Sequence, residues 1–409
     1  KLRNKMTLLK IGKKKIGIDS PAFIIAEAGI NHNGELKIAK KLIDSAKLCN
    51  VDAVKFQTFT ADDLASSKSN YYKLFKKVEL SESDFGEISD YAKQKDIIFL
   101  STPFSNNAVD ILSKMKIPAF KISSGDLTDL PLINYVAKKN KPVLLSTGMA
   151  TLNEIKNAVN EILKTKNKKI GLFHSVSAYP TPYSQTNLLA MQTMMKEFSY
   201  PIGYSDNGPD MLVPEVAVSM GAKLIEKHFT IDKKMKGPDH SLSADTKQMK
   251  ELVIRIRKIE EIRGNGIKNS QRCEKEGLIG IRRSLIAAKD LKKGAILGDD
   301  SIKIARPAKG IQPKFLKKII GKKMKKNVKK DNPLMWAYLD WLSKMRKLNI
   351  LFRISGGQAP RKELGNGHIF RSMNLAYFFK DQNIWFLLED FGGGGKILNQ
   401  NGFKNIIKL

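Results

Sequence analysis

Two lysines, Lys55 and Lys121, stand inside runs of residues that are otherwise apolar. An unpaired charge in a buried strand is costly, which marks both positions as candidates for chemistry. Other short apolar runs end in acids, hydroxyls, amides and imidazoles: Glu27, Asn31, His32, Gln57, Ser101, Thr102, Ser123, Ser124, Ser146, Thr147, His174, Ser205, Asp206, Glu226 and His228. A single serine or histidine of this kind usually caps a helix or lies in a core with its hydrogen bonds made. The whole set together predicts a functional site.

The elements that carry these residues alternate regularly along the chain. Apolar runs rich in Ile, Val and Phe predict strands, and the longer stretches of helical period between them predict helices. The predicted strands are Ala22–Ala28, Ala53–Phe59, Ile97–Phe104, Ala119–Gly125, Pro142–Gly148, Lys169–Val176, Pro201–Asp206 and Lys223–Thr230. The predicted helices include Leu36–Leu48, Leu152–Leu163, Leu188–Phe198, Met211–Met220 and Lys247–Ile262. Capping boxes at Ser81/Asp84 and Thr151/Glu154 mark helix starts.

Eight strand–helix units within about 260 residues predict an α/β fold, a (β/α)8 TIM barrel. A doubly wound sheet is the rival, but no G-x-G-x-x-G follows an early strand. In a barrel the carboxyl ends of the strands meet at one face, so the polar residues above should gather there. Four of the five histidines fall on or just beyond the strand ends: His32, His174, His228 and His240. We expect a polar, positively charged catalytic bowl.

Composition limits the class of protein. The 409 residues carry a net charge of +32, and nine lysines lie between Lys314 and Lys330. These lysines are not interleaved with the stacking aromatics of single-strand binders, so a solvated lysine-rich surface is favoured over nucleic-acid binding. Two cysteines cannot make a disulfide framework, and there is no signal peptide or membrane-length apolar run. We expect a cytoplasmic protein without membrane or nucleic-acid partners.

Changes of character along the chain predict five segments. A basic N-terminal arm (1–17) precedes the barrel (18–265), which a polar linker (266–278) joins to a small domain (279–336). That domain is too small for a large core and should lean on a barrel, its own or a partner's. The last segment (347–409) resembles a truncated α/β domain, with strands at Ile350–Ile354 and Ile384–Leu388 and a helix at His368–Phe379.

Several blocks in order resemble the bacterial sialic acid synthase family, which includes N-acetylneuraminate, legionaminate and pseudaminate synthases. They are Ile25-Ala-Glu-Ala-Gly-Ile-Asn-His-Asn-Gly34, Val54-Lys-Phe-Gln-Thr-Phe59, Phe99-Leu-Ser-Thr-Pro-Phe104, Phe120-Lys-Ile-Ser-Ser-Gly125, Leu145-Ser-Thr-Gly-Met149, Tyr179-Pro-Thr-Pro182, Ile225-Glu-Lys-His-Phe-Thr230 and Gly237-Pro-Asp-His240. The small domain, including Arg306-Pro307, resembles that family's antifreeze-like (SAF, β-clip) domain. The resemblance covers roughly residues 18–335.

The resemblance implies a reaction. Phosphoenolpyruvate condenses with an N-acylated mannosamine-type sugar and water to give a nonulosonic (sialic-type) acid and phosphate, with C–O cleavage of phosphoenolpyruvate. Its phosphate and carboxylate call for cations and hydroxyls without a carboxylate cluster beside them. The implied phosphoenolpyruvate ligands are Lys55, Thr102, Lys121, Ser124 and Ser205, and the implied catalytic residues are Glu27, Glu226 and His228.

The family also implies a divalent metal, Mn²⁺ or Mg²⁺, held by one histidine on each of the last two strands. Here His228 is one, but Asn207 stands where the family usually has the other. Asn is a neutral oxygen ligand that suits hard ions and holds them less tightly than imidazole. We expect Asn207 to keep a weakened site. The alternatives are that His240 or water substitutes, or that activity is lost.

For the sugar, the resemblance implies Asp126, Tyr179, Asp239 and Arg306. Asp126 stands where acetylneuraminate synthases carry the longer Glu, and Ser177 replaces an Asn of some members. In the family the SAF domain caps the partner's barrel in a domain-swapped homodimer. Arg306 would then reach the sugar across the interface, unless it is an ordinary solvated arginine.

The tail motif Gly365-Asn-Gly-His-Ile-Phe-Arg371 resembles the start of the UDP-sugar hydrolases of the pseudaminate pathway. His368 and Arg371 match positions of the catalytic loop, but a truncated half-domain should not hydrolyse. A neighbour of this kind favours a 2,4-diacetamido-trideoxy hexose over N-acetylmannosamine as the acceptor. The alternatives are another phosphoenolpyruvate-condensing or aldolase-type barrel, and a catalytically impaired barrel that binds anionic glycan or nucleic acid.

Overall fold

The structure is a computed structural model that describes residues 6–340 and, beyond them, 349–356, 369, 372–373, 375–376, 379, 383–390 and 394–408. The chain divides into two compact units, with the boundary in the sequence between Ile267 and Lys268. We call them the barrel unit and the C-terminal unit and describe each by itself.

The barrel unit is a closed barrel of eight parallel strands in which each strand lies beside its neighbours in sequence. The strands are β3 (Phe23–Gly29), β4 (Ala53–Thr58), β5 (Ile98–Pro103), β6 (Phe120–Ile122), β7 (Val143–Ser146), β8 (Ile170–Ser175), β9 (Ile202–Asp206) and β10 (Leu224–His228). Side chains and helices cover both faces of such a sheet, which is why the strands read as near-continuous apolar runs. The predicted TIM barrel is confirmed, each strand falling within or one residue beyond its predicted run.

Helices follow the strands, and the longer ones pack their buried faces against the outside of the barrel. They are α1 (Leu36–Leu48), α2 (Ala61–Leu64), α3 (Tyr72–Val78), α4 (Glu82–Gln94), α5 (Asn106–Lys114), α6 (Leu130–Lys138), α7 (Leu152–Lys164), α8 (Leu189–Glu197), α9 (Leu212–Ser219) and α10 (Thr246–Arg263). Both predicted capping boxes form, at the starts of α4 and α7. In the described residues no helix has the length and apolarity needed to cross a bilayer.

Within the N-terminal arm predicted over residues 1–17, the described residues include an antiparallel hairpin of β1 (Leu9–Ile11) and β2 (Lys14–Ile16). Leu9, Ile11 and Ile16 are buried against the apolar residues at the amino ends of the barrel strands. The lysines of the hairpin are exposed. The hairpin therefore closes the bottom of the barrel. The many lysines of this segment led to the prediction of a basic arm rather than a buried hairpin.

The C-terminal unit begins with a short helix, α11 (Lys275–Gly280), where the sequence predicted only a linker. Strands β11 (Ser284–Ala287) and β12 (Ile302–Ala305) pair antiparallel, and helix α12 (Leu316–Ile319) follows them. A separate core holds the unit together, formed by Leu285, Ala287, Leu291, Leu297, Ile311, Ile319, Met324, Val328, Leu334 and Leu339. Because Leu339 is buried in this core, the unit extends past the predicted end at residue 336.

The tail carries a three-stranded parallel sheet of β13 (Asn349–Gly356), β14 (Asn383–Asp390) and β15 (Ile406–Lys408), with helix α13 (Gly394–Gln400) before its last strand. The first two strands contain both predicted strand segments. Of the predicted helix His368–Phe379, only scattered positions are described. His368 and Arg371 lie outside the described residues.

A side-chain substitution tests whether the N-terminal hairpin packs against the bottom of the barrel. Ile11→Ala removes most of a fully buried side chain, so we expect the free energy of unfolding of the barrel to fall by about 2–4 kcal/mol. Leu8→Ala, at a position that is 59% exposed, is the matched control and should change it by less than about 1 kcal/mol. Urea unfolding followed by circular dichroism measures both. Equal effects would show that the hairpin does not pack into the barrel.

Candidate active site

The carboxyl ends of the barrel strands enclose a cavity of about 350 Å³. Of the thirteen site residues predicted from the sequence, eleven line it: Glu27, Lys55, Thr102, Lys121, Ser124, Tyr179, Ser205, Asn207, Glu226, His228 and Asp239. The remaining lining residues are Gln57, Phe104, Ser123, Gly125, Ser146, Met149, Ser175 and Ser177. The cavity is therefore built from every strand of the barrel.

Both buried lysines are paired with carboxylates. The Lys55 ammonium lies 2.8 Å from Glu27 Oε2 and 3.8 Å from Glu226 Oε1, and Lys121 lies 3.1 Å from the same Glu226 oxygen. Two lysines and two glutamates sum to zero formal charge. The expectation of a positively charged bowl without a carboxylate cluster is thus wrong, because ammonium groups buried this deeply require compensation.

Strand register places these groups side by side. On one side of Glu27 the neighbouring residue is His228 of β10, and on the other it is Lys55 of β4. Glu226 is level with Ser205 of β9, whose hydroxyl donates to the Glu226 carboxylate over 3.1 Å. Below them the ring of Phe173 lies 5.2 Å from the Lys121 ammonium. An apolar layer thus supports a polar one.

The two glutamates differ in proton affinity. Burial raises the pKa of Glu27, and the nearby Glu226 carboxylate adds to this rise against the opposing effect of Lys55. Burial also opposes ionisation of Glu226, but Lys121 and Lys55 together hold its pKa below the ordinary value. Desolvation lowers the pKa of Lys121. Burial lowers that of Lys55, yet Glu226 and Glu27 raise it overall. Glu226 is the stable anion, and Glu27 is the carboxyl better able to hold a proton.

Hydroxyl groups form the wall on the β6–β8 side. The Ser124 hydroxyl accepts a hydrogen bond from the backbone N–H of Gly148 over 2.9 Å. A side chain at Gly148 would begin 2.3 Å from the Ser177 hydroxyl and 2.8 Å from that of Ser124, so it would displace both hydroxyls. The Ser146 hydroxyl is buried with no hydrogen-bond partner among the described residues. Such a wall offers donors to an anion.

Sequence reasoning selected the wrong residue at the end of β8. His174 is directed away from the cavity, and its Nε2 pairs with the Thr186 carbonyl over 2.9 Å. Ser175, the next residue, lines the cavity instead. Because side chains alternate between the faces of a strand, the position of Phe173 on the barrel interior could have indicated this. Phe104 and Met149 also line the cavity and carry no chemical signal in the sequence.

Two other histidines at strand ends lie outside the cavity lining. His32 accepts a hydrogen bond from the Gly34 N–H at Nδ1 over 3.1 Å. His240 is fully buried, with Nδ1 2.7 Å from the Thr230 hydroxyl and Nε2 3.3 Å from Asn33 Oδ1. Since both ring nitrogens of His240 are occupied, it is not placed to substitute for Asn207 as a metal ligand.

Potential metal donors lie at or beyond the carboxyl ends of β9 and β10. His228 Nδ1 is buried without a hydrogen-bond partner in the described part of the chain. Burial lowers the pKa of His228 despite the nearby Asp239 carboxylate, so the ring is neutral and keeps a lone pair. Asn207 donates from Nδ2 to the Val176 carbonyl over 2.8 Å, which leaves its Oδ1 as an acceptor. An imidazole nitrogen, an amide oxygen and a carboxylate fit a divalent cation that retains water ligands.

The ring of Tyr179 packs edge-on against His228 at 5.8 Å between centroids. Although the Tyr179 side chain is 56% exposed, desolvation of its hydroxyl and the carboxylates of Asp239, Glu27 and Glu226 raise the pKa of Tyr179 to about 12, so the hydroxyl stays protonated. Burial likewise raises the pKa of Asp239. Tyr179, Asp239, Asn207 and His228 thus form a polar part of the cavity that contains no lysine.

Two predicted sugar ligands are placed elsewhere. Asp126 is absent from the cavity lining, and its carboxylate accepts a hydrogen bond from the Ser123 hydroxyl over 2.6 Å. Its side chain thus closes the loop that presents Ser123 and Ser124, and its role as a sugar ligand stays a prediction. Arg306 lies exposed in the C-terminal unit, and its predicted role stays a prediction.

Known proteins match this architecture in both units. The NeuB family matches residues 42–268, and the SAF domain matches residues 282–340. The chain is 47% identical to an uncharacterized protein of Methanocaldococcus jannaschii, over 81% of this chain and 98% of that protein. It is 41% identical to an N,N'-diacetyllegionaminic acid synthase of Campylobacter jejuni, over 75% and 97%. The structure of an N-acetylneuraminic acid synthetase from Leptospira borgpetersenii aligns with a TM-score of 0.65 at 34% identity, covering 68% and 97%.

The buried His32 gives a titration test. Burial lowers its pKa from the ordinary 6.5 to about 4, so the folded protein binds this proton less readily than the unfolded chain. The contribution of His32 to stability is therefore complete above pH 6.5 and declines as the pH falls from 6.5 towards 4. NMR of the imidazole C–H signals, assigned with His32→Gln, should show no titration above pH 5. A midpoint near 6.5 would contradict the burial.

Proposed function

We propose that this chain, which belongs to the NeuB family, is a synthase that condenses phosphoenolpyruvate with an N-acylated mannosamine-type sugar to give a nonulosonic acid and phosphate. One observation carries the proposal. The cavity joins two ion-paired lysines and a serine wall to three buried polar atoms that lack partners in the described residues: Ser146 Oγ, Glu226 Oε2 and His228 Nδ1. Buried polar atoms of this kind are normally satisfied, so together they call for a polar ligand.

Phosphoenolpyruvate fits the half of the cavity that holds the lysines. Its phosphate and carboxylate would take over Lys55 and Lys121 as partners, with hydroxyl donors from Thr102, Ser124 and Ser205. The Thr102 hydroxyl already lies 3.0 Å from the Lys55 ammonium. When substrate anions replace Glu27 and Glu226 as partners of the two lysines, neither lysine is left unpaired.

The two glutamates supply the proton transfers. Carbon 3 of phosphoenolpyruvate attacks the aldehyde carbon of the open-chain sugar, and the aldehyde oxygen takes a proton from Glu27. Water adds to carbon 2 and gives its proton to Glu226. The C–O bond to phosphate then breaks, the proton on Glu226 leaves with phosphate, and the new carbon 2 hydroxyl returns a proton to Glu27 as the ketone forms. The raised pKa of Glu27 suits a carboxyl that starts protonated, and Glu226, the carboxyl with the lower proton affinity, starts ionised.

A divalent cation, Mn²⁺ or Mg²⁺, is proposed at His228 and Asn207, with Asp239 beside them. When bound there, it supplies Lewis-acid polarisation of the aldehyde and activation of water. His228 contributes a neutral imidazole that burial keeps unprotonated. Asn207 contributes an amide oxygen, and its Nδ2 anchor to Val176 fixes the direction of that oxygen. Among the described residues no three acidic, histidine or cysteine side chains cluster as metal ligands.

We propose a 2,4-diacetamido-trideoxy hexose as the acceptor. The tail motif that resembles a nucleotide-sugar hydrolase and the 41% identity to an N,N'-diacetyllegionaminic acid synthase both support it. Tyr179 and Asp239 would hold the sugar by its amide or hydroxyl groups. We further propose a cytoplasmic, domain-swapped homodimer in which Arg306 of one copy reaches the sugar bound to the other.

Phosphate release from phosphoenolpyruvate tests the function directly. With Mn²⁺ present, N-acetylmannosamine and a 2,4-diacetamido-trideoxy hexose are offered in parallel, and release should depend on the diacetamido sugar. Release with N-acetylmannosamine alone would overturn the proposed acceptor. Release with neither, together with salt-dependent binding of DNA or an anionic glycan, would favour the impaired-barrel alternative.

Lys121→Met tests the phosphoenolpyruvate half of the cavity. Loss of a charge-assisted hydrogen bond should raise the KM for phosphoenolpyruvate by about 10- to 100-fold and leave the KM for the sugar nearly unchanged. Lys141→Met is the control, because its ammonium donates to the Ile117 carbonyl, outside the cavity lining. A variant of Lys121 that behaves like the control would show that this lysine does not bind phosphoenolpyruvate.

Asn207→His tests the metal proposal without relying on activity. Imidazole binds Mn²⁺ more tightly than an amide oxygen, so the Kd for Mn²⁺ from electron paramagnetic resonance of the free ion should fall by about tenfold. His228→Gln should raise it. If the wild type and Asn207→His bind no Mn²⁺, or if neither change alters the affinity, the metal does not lie at these residues.

A further inference from the structure

The reaction proposed above leaves one buried charged pair without a role. Lys227 and Asp206 lie 2.6 Å apart on adjacent strands, and both side chains are fully excluded from solvent. They alternate with Ser205, Glu226 and His228, which line the cavity, so the pair is on the outer face of the barrel sheet. It sits directly behind the active site.

Both residues also hold the turn that follows β9. The Lys227 ammonium donates to the Gly208 carbonyl, and Asp206 Oδ1 accepts from the Gly208 N–H over 3.0 Å. The ion pair therefore fixes the backbone on both sides of the Gly208 Cα. Asn207, the residue between Asp206 and Gly208, is the one whose side chain lines the cavity.

Asn207 in turn connects this turn to the loop after β8. Its carbonyl accepts a hydrogen bond from the Thr181 N–H over 3.0 Å, and its side chain donates to the Val176 carbonyl over 2.8 Å. The segment between these two contacts contains Tyr179, whose ring packs against His228. A chain of contacts thus runs from the buried ion pair, through Asn207, to the tyrosine.

Stability alone does not account for such a pair. Desolvating two charges costs several kcal/mol per ion, and well-packed apolar residues of similar volume are often as stable or more so. We propose that Asp206 and Lys227 are positioning residues that fix Asn207 and the 176–181 loop at the acceptor end of the cavity. This inference rests on the proposed function for its kinetic consequences, although the positioning itself does not.

The test is the double variant Asp206→Leu/Lys227→Met, which replaces the pair by apolar side chains. Amide hydrogen exchange of peptides covering 176–182 and 205–211 should accelerate by about tenfold, while the remaining barrel strands stay protected. In the assay with phosphoenolpyruvate and the acceptor sugar, displacement of the loop should lower kcat by about 10²-fold. The KM for phosphoenolpyruvate should stay within about threefold, since Lys55 and Lys121 are unchanged.

Asp206→Asn/Lys227→Gln keeps polar groups but removes both charges and shortens the donor side chain, so exchange of the two segments should accelerate by less than in the apolar variant. If the apolar variant does not fold, this smaller acceleration over the wild type carries the test. Lys223→Met is the matched control, because Lys223 is a buried lysine just before the same strand and donates to the Ser20 carbonyl. It should change neither the exchange of the two segments nor kcat.

Unchanged exchange in both segments of the folded double variant overturns the positioning role. If the wild type releases no phosphate with either sugar, the proposed function fails, yet the exchange data still decide the positioning role. Accelerated exchange with unchanged kcat would show that the pair holds the loop but that the reaction does not depend on it, which overturns the kinetic part of the inference.

Discussion

Two ammonium groups lie inside the barrel with two carboxylates against them, and the rest of the site depends on this compensation. Lys55 and Lys121 share Glu226, and Lys55 also contacts Glu27. Without the carboxylates the buried lysines would lose their protons or the barrel its stability. In the proposed reaction, an anionic substrate replaces one set of negative charges by another and thereby leaves a glutamate for proton transfer.

The barrel makes this arrangement possible by its layers. A hairpin closes the bottom, and an apolar layer that includes Phe173 separates it from the charged groups. Parallel register then sets Glu27 between His228 and Lys55, so that residues far apart in sequence become lateral neighbours. Rigid strands thus hold the charged groups, while the loops after β8 and β9 carry Tyr179 and Asn207.

Periodicity and capping residues were sufficient to predict the eight strands, five helices and the face where the site lies. The pairing of the lysines could not be predicted, because it depends on the register between strands that are distant in sequence. At the end of β8 the sequence analysis selected His174 for its reactive side chain. The alternation of side chains along the strand instead places Ser175 at the cavity. The lysines of the N-terminal hairpin made its apolar residues hard to recognise as a buried face. The carboxylate of Asp126 accepts a hydrogen bond from Ser123 within its own loop.

The most direct measurement is the number of protons exchanged when phosphoenolpyruvate binds at pH 8, obtained from binding enthalpies in buffers of different ionisation enthalpy. The phosphate group is fully ionised at that pH, so a proton taken up goes to the protein. Because the substrate displaces carboxylates from the lysines and adds negative charge beside them, we predict uptake of about one proton, lost in Glu27→Gln. Binding without proton uptake, or uptake that survives Glu27→Gln, would contradict the exchange of partners at the lysines.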